Sequence, residues 1–441
     1  MGSNEFDLVG TVRDAYVYAY ALVLEHLTMR QATNVAEPHQ PFGPWNRIAH
    51  ARELPGPEFR VVIRPNVDTL YSSGFVDLGD GPWVLSMPAT DRYVMLPIYD
   101  LWTNVFAVPG TRTTGTDRER HWVLAGPTWR GEVPDGLDLI RAPTRHISFI
   151  GRTQVDGPDD VAAVHSVQDG MSLVPLDAFG DPNWVAPVGK VDVDLDMTTP
   201  PPDQVEAMGA AEFFGLFTGL WGDNPPAPLD YPIVHRMARI GLTVGRTFDL
   251  DAASDPVRAA FDEGAALGRA DVRAEYDRLT GGGDGAWTAT EEGGAYGVNY
   301  LLRAGVAAWG LGMNLPEDAI YPSVATDDSG APLHGEHRYR LRFEPGGLPP
   351  ADAFWSVTAY DDSGFLIANE ISRYAVSDRG GIALAPDGSF EVVIQADRPV
   401  GEAYDRWLPV ARAPFNLMLR LYSPSRGAGE WTAPAVLRRD I

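Results

Sequence analysis

Apolar side chains near the start of the chain recur with the period of an α-helix. Between residues 7 and 34, Val12, Tyr16, Ala19, Val23 and His26 follow one another at intervals of three or four positions. Positions with this spacing share one face of a helix, which has about 3.6 residues per turn. The pattern predicts one long helix over residues 7–34.

After residue 59 the apolar positions form short runs that are separated by Gly, Pro and Asp. Runs spaced about ten residues apart, with turn signals between them, are typical of an antiparallel sandwich. A doubly wound parallel sheet is disfavoured, because no long helical pattern separates these runs. The first group of predicted strands covers residues 60–63, 83–87, 93–98, 104–108, 122–124 and 146–150.

A connector rich in Pro and Asp follows at residues 181–202, and helical patterns continue to a last predicted helix at 296–313. Strand patterns return at 338–343, 354–360, 390–395 and 415–422. We therefore expect a mainly β protein with α-helices. It divides into a helical lead-in (1–58), a sandwich (59–180), a linker with a helical segment (181–315) and a second sandwich (316–441).

The charge balance narrows the classes of partner. The 441 residues include 35 Lys and Arg against 60 Asp and Glu, which gives a formal net charge of −25. Nucleic acids and anionic membrane surfaces are bound through clustered basic residues, so we expect neither as a partner. No apolar stretch of about 18 residues predicts a membrane span.

Several catalytic chemistries lack the residues that they require. The absence of cysteine removes thiol nucleophiles, thiolate zinc sites and iron–sulfur clusters. Lys190, the single lysine, lies in a polar, Asp-rich stretch that is unsuited to a Schiff base. Neither a dinucleotide-binding glycine motif nor a nucleophile elbow is present, so we predict no organic cofactor.

The histidines do not predict a metal site. The one close pair, His334 and His337, falls in a turn-rich stretch, whereas hydrolytic zinc sites place two histidines four positions apart on a helix. We predict no metal ligands, and a requirement for a divalent metal is left open.

The first polar constellation lies at the start of the β pattern. Arg64, Asn66 and Asp68 alternate along the chain, with Tyr71 close behind, so an extended segment places the first three on one face. Together they could bind a ligand carboxylate or hydroxyl groups. The alternative is structural, with Asp68 capping a turn and Arg64 pairing with a carboxylate across the sandwich.

A second constellation follows at Tyr99, where Asp100, Trp102 and Asn104 alternate. An indole ring between an acid and an amide is typical of a strand that contacts a sugar. It is equally typical of an interface between domains, and the sequence does not decide between the two.

Two further constellations come later in the chain. Tyr296, Asn299, Tyr300 and Arg303 are spaced to share one helix face, which predicts contact with a neighbouring domain or a shared pocket. The last comprises Tyr360, Asp361, Asp362, Asn369 and Arg373. For this set, a solvated loop with one salt bridge is the simpler interpretation.

Long strings of the sequence resemble two bacterial families. Residues 64–72, 99–106 and 109–112 resemble domain-of-unknown-function family 1254, and residues 352–361 with Asn369, Arg373 and Tyr374 resemble its usual partner, family 1214. The resemblance implies an immunoglobulin-like sandwich, a helical insert and a jelly-roll-like C-terminal sandwich. It supplies no catalytic residues.

The resemblance also bears on location. Many relatives look exported, with N-terminal leaders, whereas this N-terminus has no basic region followed by an apolar run. The sequence as written predicts a cytoplasmic protein, and an exported or periplasmic one is the alternative if a leader has been removed. Assembly into a homo-oligomer is left open.

Our leading hypothesis is an enzyme without organic cofactor that acts on a small oxygenated or anionic molecule between the two sandwiches. Asp68 would be the base, Tyr71 the proton donor or oxyanion stabiliser, and Arg64 and Arg303 the anchors of a hydrolase or lyase. The alternatives are a sugar or small-ligand binding protein, and an interaction or assembly protein. Convergence of Arg64, Asp68, Asn299 and Arg303 on one cavity would favour the enzyme, and dispersal would favour the interaction protein.

Overall fold

The computed structural model describes residues 6–60, 62–280, 287–289, 292–379 and 381–439. It begins with helix α1, Leu8–Thr33, whose N-cap Asp7 accepts a hydrogen bond from the Gly10 backbone N–H at 2.8 Å. This confirms the predicted first helix. The helix is buried on nearly every side, because other helices and a sheet surround it.

The N-terminal sandwich consists of two sheets. One has the strand order β1-β2-β9-β5-β6, with β4 also paired to β9, and the other has the order β10-β3-β7-β8. Val76, Leu85, Trp122 and Phe149 belong to the apolar core that both sheets enclose. The strands are β1 (Ala49–His50), β2 (Thr69–Asp77), β3 (Trp83–Met87), β4 (Val94–Met95), β5 (Ile98–Asp100), β6 (Val105–Ala107), β7 (Arg120–Ala125), β8 (Asp138–Arg141), β9 (His146–Gln154) and β10 (Ser172–Pro175), with helix α2 (Val161–Asp169) before β10.

The strand predicted at residues 60–63 is not formed. Residues 62–64 are bends, and Val61 lies outside the described residues. Arg64 has a positive φ of 52°, and its backbone N–H donates to the Gly364 carbonyl at 2.7 Å. The segment is therefore a loop that contacts the C-terminal part of the chain instead of a strand in a sheet.

The part of the chain that connects the two sandwiches in the sequence forms a helical layer around α1. Phe213 stacks on Tyr16 of α1 with ring centroids 4.2 Å apart, and Gly264 lets another helix approach closely, since a Cβ there would lie 2.6 Å from the Val12 Cβ. The layer contains α3 (Pro201–Ala207), α4 (Ala210–Trp221), α5 (Tyr231–Ala238), α6 (Asp255–Thr280) and α7 (Tyr300–Trp309).

Helix α7 is shorter than the helix predicted at 296–313. Gly297 has a positive φ of 53°, which interrupts a helix, and the side chain of Asn299 then caps α7 by accepting from the Leu302 N–H at 3.3 Å. Tyr296 therefore precedes the helix and does not share its face with Asn299, Tyr300 and Arg303.

The C-terminal sandwich again has two sheets, with strand orders β11-β18-β14-β15, where β12 also pairs with β18, and β17-β16-β13-β19. Leu341, Trp355, Val392 and Leu419 lie in the core between them. Its strands are β11 (Ala319–Ile320), β12 (Ser323–Val324), β13 (Tyr339–Phe343), β14 (Ala351–Asp361), β15 (Ala375–Ser377), β16 (Phe390–Gln395), β17 (Trp407–Pro409), β18 (Phe415–Pro424) and β19 (Val436–Arg438).

Each sandwich turns one polar sheet face away from its own core. On β9, Ile147 and Phe149 enter the core, so Ser148 and Arg152 lie on the opposite face. On β18, Leu419 and Leu421 enter the core, and Arg420 and Tyr422 lie opposite. The expected class, mainly β with α and built from sandwich-type domains, is confirmed. None of the helices in the described ranges is long and apolar enough to cross a membrane.

Candidate functional site

The two sandwiches are joined by a buried ion pair at Asp68. Its Oδ2 accepts a hydrogen bond from Ser356 Oγ at 2.6 Å, and its Oδ1 pairs with the guanidinium of Arg379, which also donates to the Asp68 carbonyl at 2.8 Å. The Asp68 side chain has no exposed surface. Both carboxylate oxygens of the residue that we predicted as a base are thus engaged across the interface.

Asn66 organises the turn that leads into β2. Its Oδ1 accepts from the backbone N–H groups of Asp68 and Thr69 at 2.9 and 2.8 Å. Its Nδ2 donates to Tyr71 Oη at 2.7 Å. Tyr71 Oη therefore acts as an acceptor here, and its own proton has no acceptor among the described residues.

Arg64 takes part in the interface through its backbone. Its carbonyl accepts from Arg420 at 2.9 Å, and the same guanidinium donates to Tyr360 Oη at 2.6 Å and to Thr358 Oγ1 at 3.1 Å. Tyr360 Oη in turn donates to the Pro65 carbonyl at 2.7 Å. Arg420 is consequently a buried arginine that donates three hydrogen bonds, all to neutral partners.

Arg152 on β9 is in a different situation. It is 8 % exposed. Its guanidinium donates a long hydrogen bond of 3.3 Å to the Ile150 carbonyl on its own strand and interacts with the hydroxyl of Tyr99. Across the described part of the chain, no carboxylate comes within 4 Å of it. The nearest cation–π contact is with Tyr71, whose ring centroid lies 5.3 Å away.

Four tyrosines surround this guanidinium within electrostatic range, and with Arg152 we call them the Arg152 cluster. The hydroxyl protons of two of these tyrosines are already used in hydrogen bonds. Tyr99 donates to the Gly312 carbonyl at 2.8 Å, and Tyr321 donates to Asn314 Oδ1 at 2.6 Å. Burial raises the pKa of Tyr321 to about 12, so this phenol stays protonated. The members are Tyr71, Tyr99, Arg152, Tyr321 and Tyr422.

Tyr422 reaches the cluster from the C-terminal sandwich. Its ring packs on Phe354 with centroids 4.4 Å apart, and its hydroxyl has no hydrogen-bond partner in the described ranges. Burial, and after it the charge of Asp68, raises the pKa of Tyr422 well above the usual value. The cluster therefore offers the guanidinium of Arg152 and two uncommitted phenol protons, those of Tyr71 and Tyr422, which together suit an anion.

Arg303, predicted as an anchor, lies in the helical layer instead. Its guanidinium is 5.2 Å from the ring centroid of Tyr18, 5.1 Å from Trp102 and 5.2 Å from Tyr300, and it donates to the Tyr18 carbonyl at 2.8 Å. Asn299 is the N-cap of α7. Arg303 and Asn299 thus share no partner with Arg64 and Asp68, and the four residues fall into two groups.

Trp102 is enclosed in the same layer. It is 2 % exposed, and its Nε1 donates to the Pro225 carbonyl at 3.2 Å. Tyr300 Oη donates to Asp230 at 3.0 Å. A ring with so little exposed surface offers no stacking platform for a sugar.

Asp100 and Asn104 form a local turn. Asp100 Oδ1 accepts from the Asn104 backbone N–H at 2.9 Å. Burial raises the pKa of Asp100 to about 6. On α1, Glu25 accepts from Ser148 Oγ at 3.0 Å, and burial raises its pKa to about 7.

Arg373 and Asn369 belong to a loop of the C-terminal sandwich. Arg373 donates to the Tyr404 and Trp407 carbonyls at 2.7 and 3.2 Å, and its backbone N–H donates to Asn369 Oδ1 at 3.0 Å. Nearby, Asp361 pairs with Arg60 at 3.3 Å. Their partners are local or lie in the loop before β2, and none of them belongs to the Arg152 cluster.

Sequence reasoning missed the residues that now define the buried polar sites. Glu25 had a visible signal, because it is a lone acid within a long apolar helical run. Arg420 had one too, because it stands between core leucines on a strand. Arg152, Tyr321 and Tyr422 gave none, since only the packing of the two sandwiches brings them together.

Two surface grooves of about 650 and 400 Å³ lie at the helical layer, one bounded by α1, α5 and the start of α7, the other by residues 292–297 and 315–317. Neither is lined by Arg152. Within the described ranges, no three potential metal ligands come together.

Known structures share this fold. The VPA0106 protein from Vibrio parahaemolyticus is 22 % identical with a TM-score of 0.75, and the match covers 98 % of this chain and all 100 % of that one. An uncharacterised protein from Burkholderia cenocepacia is 12 % identical with a TM-score of 0.47, covering 98 % and 96 % of the two chains. The first likeness shows the fold alone, and the second carries no argument. No curated protein matches the sequence.

Two family matches account for both sandwiches. A protein family of unknown function, DUF1254, matches residues 45–175. A second such family, DUF1214, matches residues 318–426. The chain therefore contains a DUF1254 domain followed by a DUF1214 domain.

Proposed function

We propose that the protein is an enzyme that acts on a small organic anion bound at the Arg152 cluster, between the two sandwiches. The observation that carries this proposal is the guanidinium of Arg152, which is buried, contacts only neutral groups such as the Ile150 carbonyl and Tyr99, and has no carboxylate within 4 Å in the described ranges. An uncompensated buried charge costs several kcal/mol. A bound carboxylate or phosphate would remove that cost.

The neighbours of Arg152 support the same ligand class. The free phenol protons of Tyr71 and Tyr422 add two donors to the guanidinium, while the cluster offers no charged acceptor. Donors without acceptors recognise an anion and reject a cation. Small-molecule sites also occur preferentially between domains.

The chemistry that fits these residues is acid–base chemistry without an organic cofactor. Tyr71, held by Asn66 at 2.7 Å, would donate its proton or stabilise an oxyanion, as an oxyanion hole does. Hydrolysis and elimination both develop such a charge. Asp68 positions the interface in this scheme and does not act as the base, because both of its carboxylate oxygens are engaged.

A structural interface is the second candidate function. The bonds from Arg379 to Asp68 and from Arg420 to the Arg64 carbonyl already join the two domains. In that case Arg152 would bind no ligand. A sugar-binding function has less support, because Trp102 is enclosed.

The experiment is a thermal-shift screen of carboxylates, phosphates, sulfonates and esters, followed by calorimetry on the hits. A ligand at one hundred times its Kd stabilises the folded state by about 2.7 kcal/mol. We expect hits to stabilise the wild type and Arg412→Met, an exposed control, but not Arg152→Met. Ligands that stabilise Arg152→Met equally would overturn the proposed site.

Turnover of the hits separates the enzyme from the interface. We expect Tyr71→Phe to lower kcat more than it raises KM, because the phenol proton is used in the transition state. Incorporation of label from isotopic water into the product would identify a hydrolase. A product that contains a new double bond and no label would identify a lyase. Binding at Arg152 with no product from any hit would support a binding protein instead.

A further inference from the structure

A second buried polar group lies beneath α1, apart from the Arg152 cluster. It comprises Glu25 of α1, Asp100 of β5, Ser148 of β9 and Arg303 of α7, and we call it the Glu25 cluster. Glu25 is 4 % exposed, Asp100 7 % and Arg303 2 %. Electrostatic interactions link Glu25 with Asp100 and Asp100 with Arg303, so three ionisable side chains from a helix, a strand and another helix are enclosed together where the helical layer covers the sheet.

The bonds in this cluster leave the two carboxylates without a strong ionic partner. Glu25 accepts one hydrogen bond from the neutral Ser148 hydroxyl at 3.0 Å. Asp100 is bonded within its own turn to Asn104. Arg303 donates to the Tyr18 carbonyl, its Nε has no partner, and it forms no salt bridge with any carboxylate in the described part of the chain.

The charge count of the enclosure is unbalanced. Two ionised carboxylates with one guanidinium would leave one buried negative charge in excess, which costs several kcal/mol in a low-dielectric site. Retaining one proton makes the enclosure neutral. Burial raises the pKa of both groups in the same direction, and the charge of Asp100 adds to this effect at Glu25.

We propose that Glu25 and Asp100 bind one proton between them at neutral pH, and that its release in mildly alkaline solution weakens the packing of α1 against the N-terminal sandwich. The proton belongs to the pair, since two interacting acids titrate as a unit. The folded protein thereby contains a pH-sensitive contact between its helical layer and its first sheet.

The other titratable groups near the pair do not supply an alternative charge. Tyr296 interacts with Asp100, and burial raises its pKa to about 12, so it is neutral. His26 is the neighbour of Glu25 on α1, and burial, with the charges of Arg30 and His146, lowers its pKa to about 4, so it too is uncharged. Arg303 is the single cation that faces the pair among the groups that act on it.

The sign of the pH effect follows from the raised pKa. Below the ordinary pKa of a glutamate, about 4.3, both folded and unfolded chains hold the proton, and the full stability is present. Between that value and about 7 for Glu25, the folded chain holds more protons, so stability falls as the pH rises. One extra bound proton changes the unfolding equilibrium by up to about tenfold per pH unit.

The test compares the wild type with Glu25→Gln, Asp100→Asn and the exposed control Glu263→Gln by urea unfolding from about pH 5 to about pH 9, a range that spans the raised pKa. We expect wild type and control to lose stability as the pH rises toward about 7 and to level off once the folded chain has also released the proton. Glu25→Gln should show a flatter profile and become the more stable protein on the alkaline side. Hydrogen exchange of α1 amides should rise with pH in the wild type beyond the intrinsic rate.

Infrared difference spectra give an independent readout of the proton. Wild type minus Glu25→Gln at neutral pH should show the stretch of a protonated carboxyl group, which disappears in alkaline solution. If Glu25→Gln does not fold, Ser148→Ala should move the midpoint to higher pH, because it removes a bond that favours the ionised form. The proposal would be overturned if the infrared spectra showed no protonated carboxyl group at neutral pH. It would also be overturned if the stability of all variants changed in parallel with pH.

Discussion

The carboxylate of Asp68 in the N-terminal sandwich pairs with the guanidinium of Arg379 in the C-terminal sandwich, 311 positions away in the sequence. The aspartate side chain has no exposed surface, and the arginine side chain retains 10 %. This pair, together with the bond from Ser356, fixes how the two polar sheet faces meet. Its strength therefore affects both the stability of the protein and the geometry of the Arg152 cluster.

Asp68→Asn is expected to destabilise the protein by about 3–5 kcal/mol, because it leaves Arg379 as a buried charge without a partner. Urea unfolding at neutral pH measures the effect. Asp397→Asn is the control, since it breaks an exposed pair with Arg412 and should cost no more than about 1 kcal/mol. Equal losses of stability for the two substitutions would show that the buried pair contributes no more to stability than the exposed pair does.

Arg152 and Arg420 are two buried arginines on facing sheets that should respond in opposite ways to replacement by methionine. Arg420→Met leaves three acceptors without a donor and should cost several kcal/mol, at about 1–3 kcal/mol for each unsatisfied group. Arg152→Met removes a charge with no carboxylate within 4 Å in the described ranges, so the ligand-free protein should lose less than about 1 kcal/mol or gain stability.

Denaturant unfolding of both variants checks this contrast between the arginines. A large loss for Arg152→Met in the absence of ligand would mean that the guanidinium is already satisfied by the surrounding tyrosines. In that case the main support for an anion site would be gone.

Gly312 is expected to resist substitution because of its backbone. It has a positive φ of 91°, and an added Cβ would collide with the Ile150 side chain. Its carbonyl also accepts the proton of Tyr99. Gly312→Ala should therefore cost about 1–3 kcal/mol.

Gly310→Ala is the matched control for Gly312→Ala. Gly310 has an extended φ of 174° and no neighbour within 4 Å of an added Cβ, so it should change stability little. Thermal unfolding of the two variants decides the matter, and similar Tm values would contradict the strain argument.

Asp77 should make the protein sensitive to acid. Burial acts to raise its pKa, but bonds with His146 and Arg145 outweigh it, and the pKa lies below the usual range. A carboxylate with a lowered pKa stabilises the folded state above the ordinary value of about 3.9, and this contribution is lost as the pH falls further. Asp77→Asn should cost about 1 kcal/mol at neutral pH, because the Arg145 pair is partly exposed.

Urea unfolding of wild type and Asp77→Asn over a series of acidic pH values tests the direction of this pH dependence. The free energies of unfolding of the two proteins should approach each other as the pH falls below about 4. A difference that stayed constant into strong acid would assign the effect of the substitution to packing instead of charge.

The sequence predicted much of the secondary structure because its patterns are local. The apolar runs that predicted α1, β14 and β18 each lie within one element, and most residues of each element are buried. The segment predicted as a strand at residues 60–63 instead bends at 62–64, where the Arg64 N–H donates to the Gly364 carbonyl. No local pattern contains that contact. The start of α7 was also missed, because the positive φ of Gly297 overrides the helical spacing.

For the site, the sequence by itself determined which side chains are available: a chain without cysteine, with one lysine, and with polar residues inside apolar strands. It pointed to Asn66, Asp68 and Tyr71 because they alternate or follow closely within one segment. Only the tertiary structure decided that Asp68 is occupied by Arg379, that Arg303 is enclosed by aromatic rings, and that Arg152 meets no carboxylate among the residues that the structure describes. These are relations between residues far apart in the chain, and they depend on how two sheets and a helical layer pack, which local periodicity does not encode.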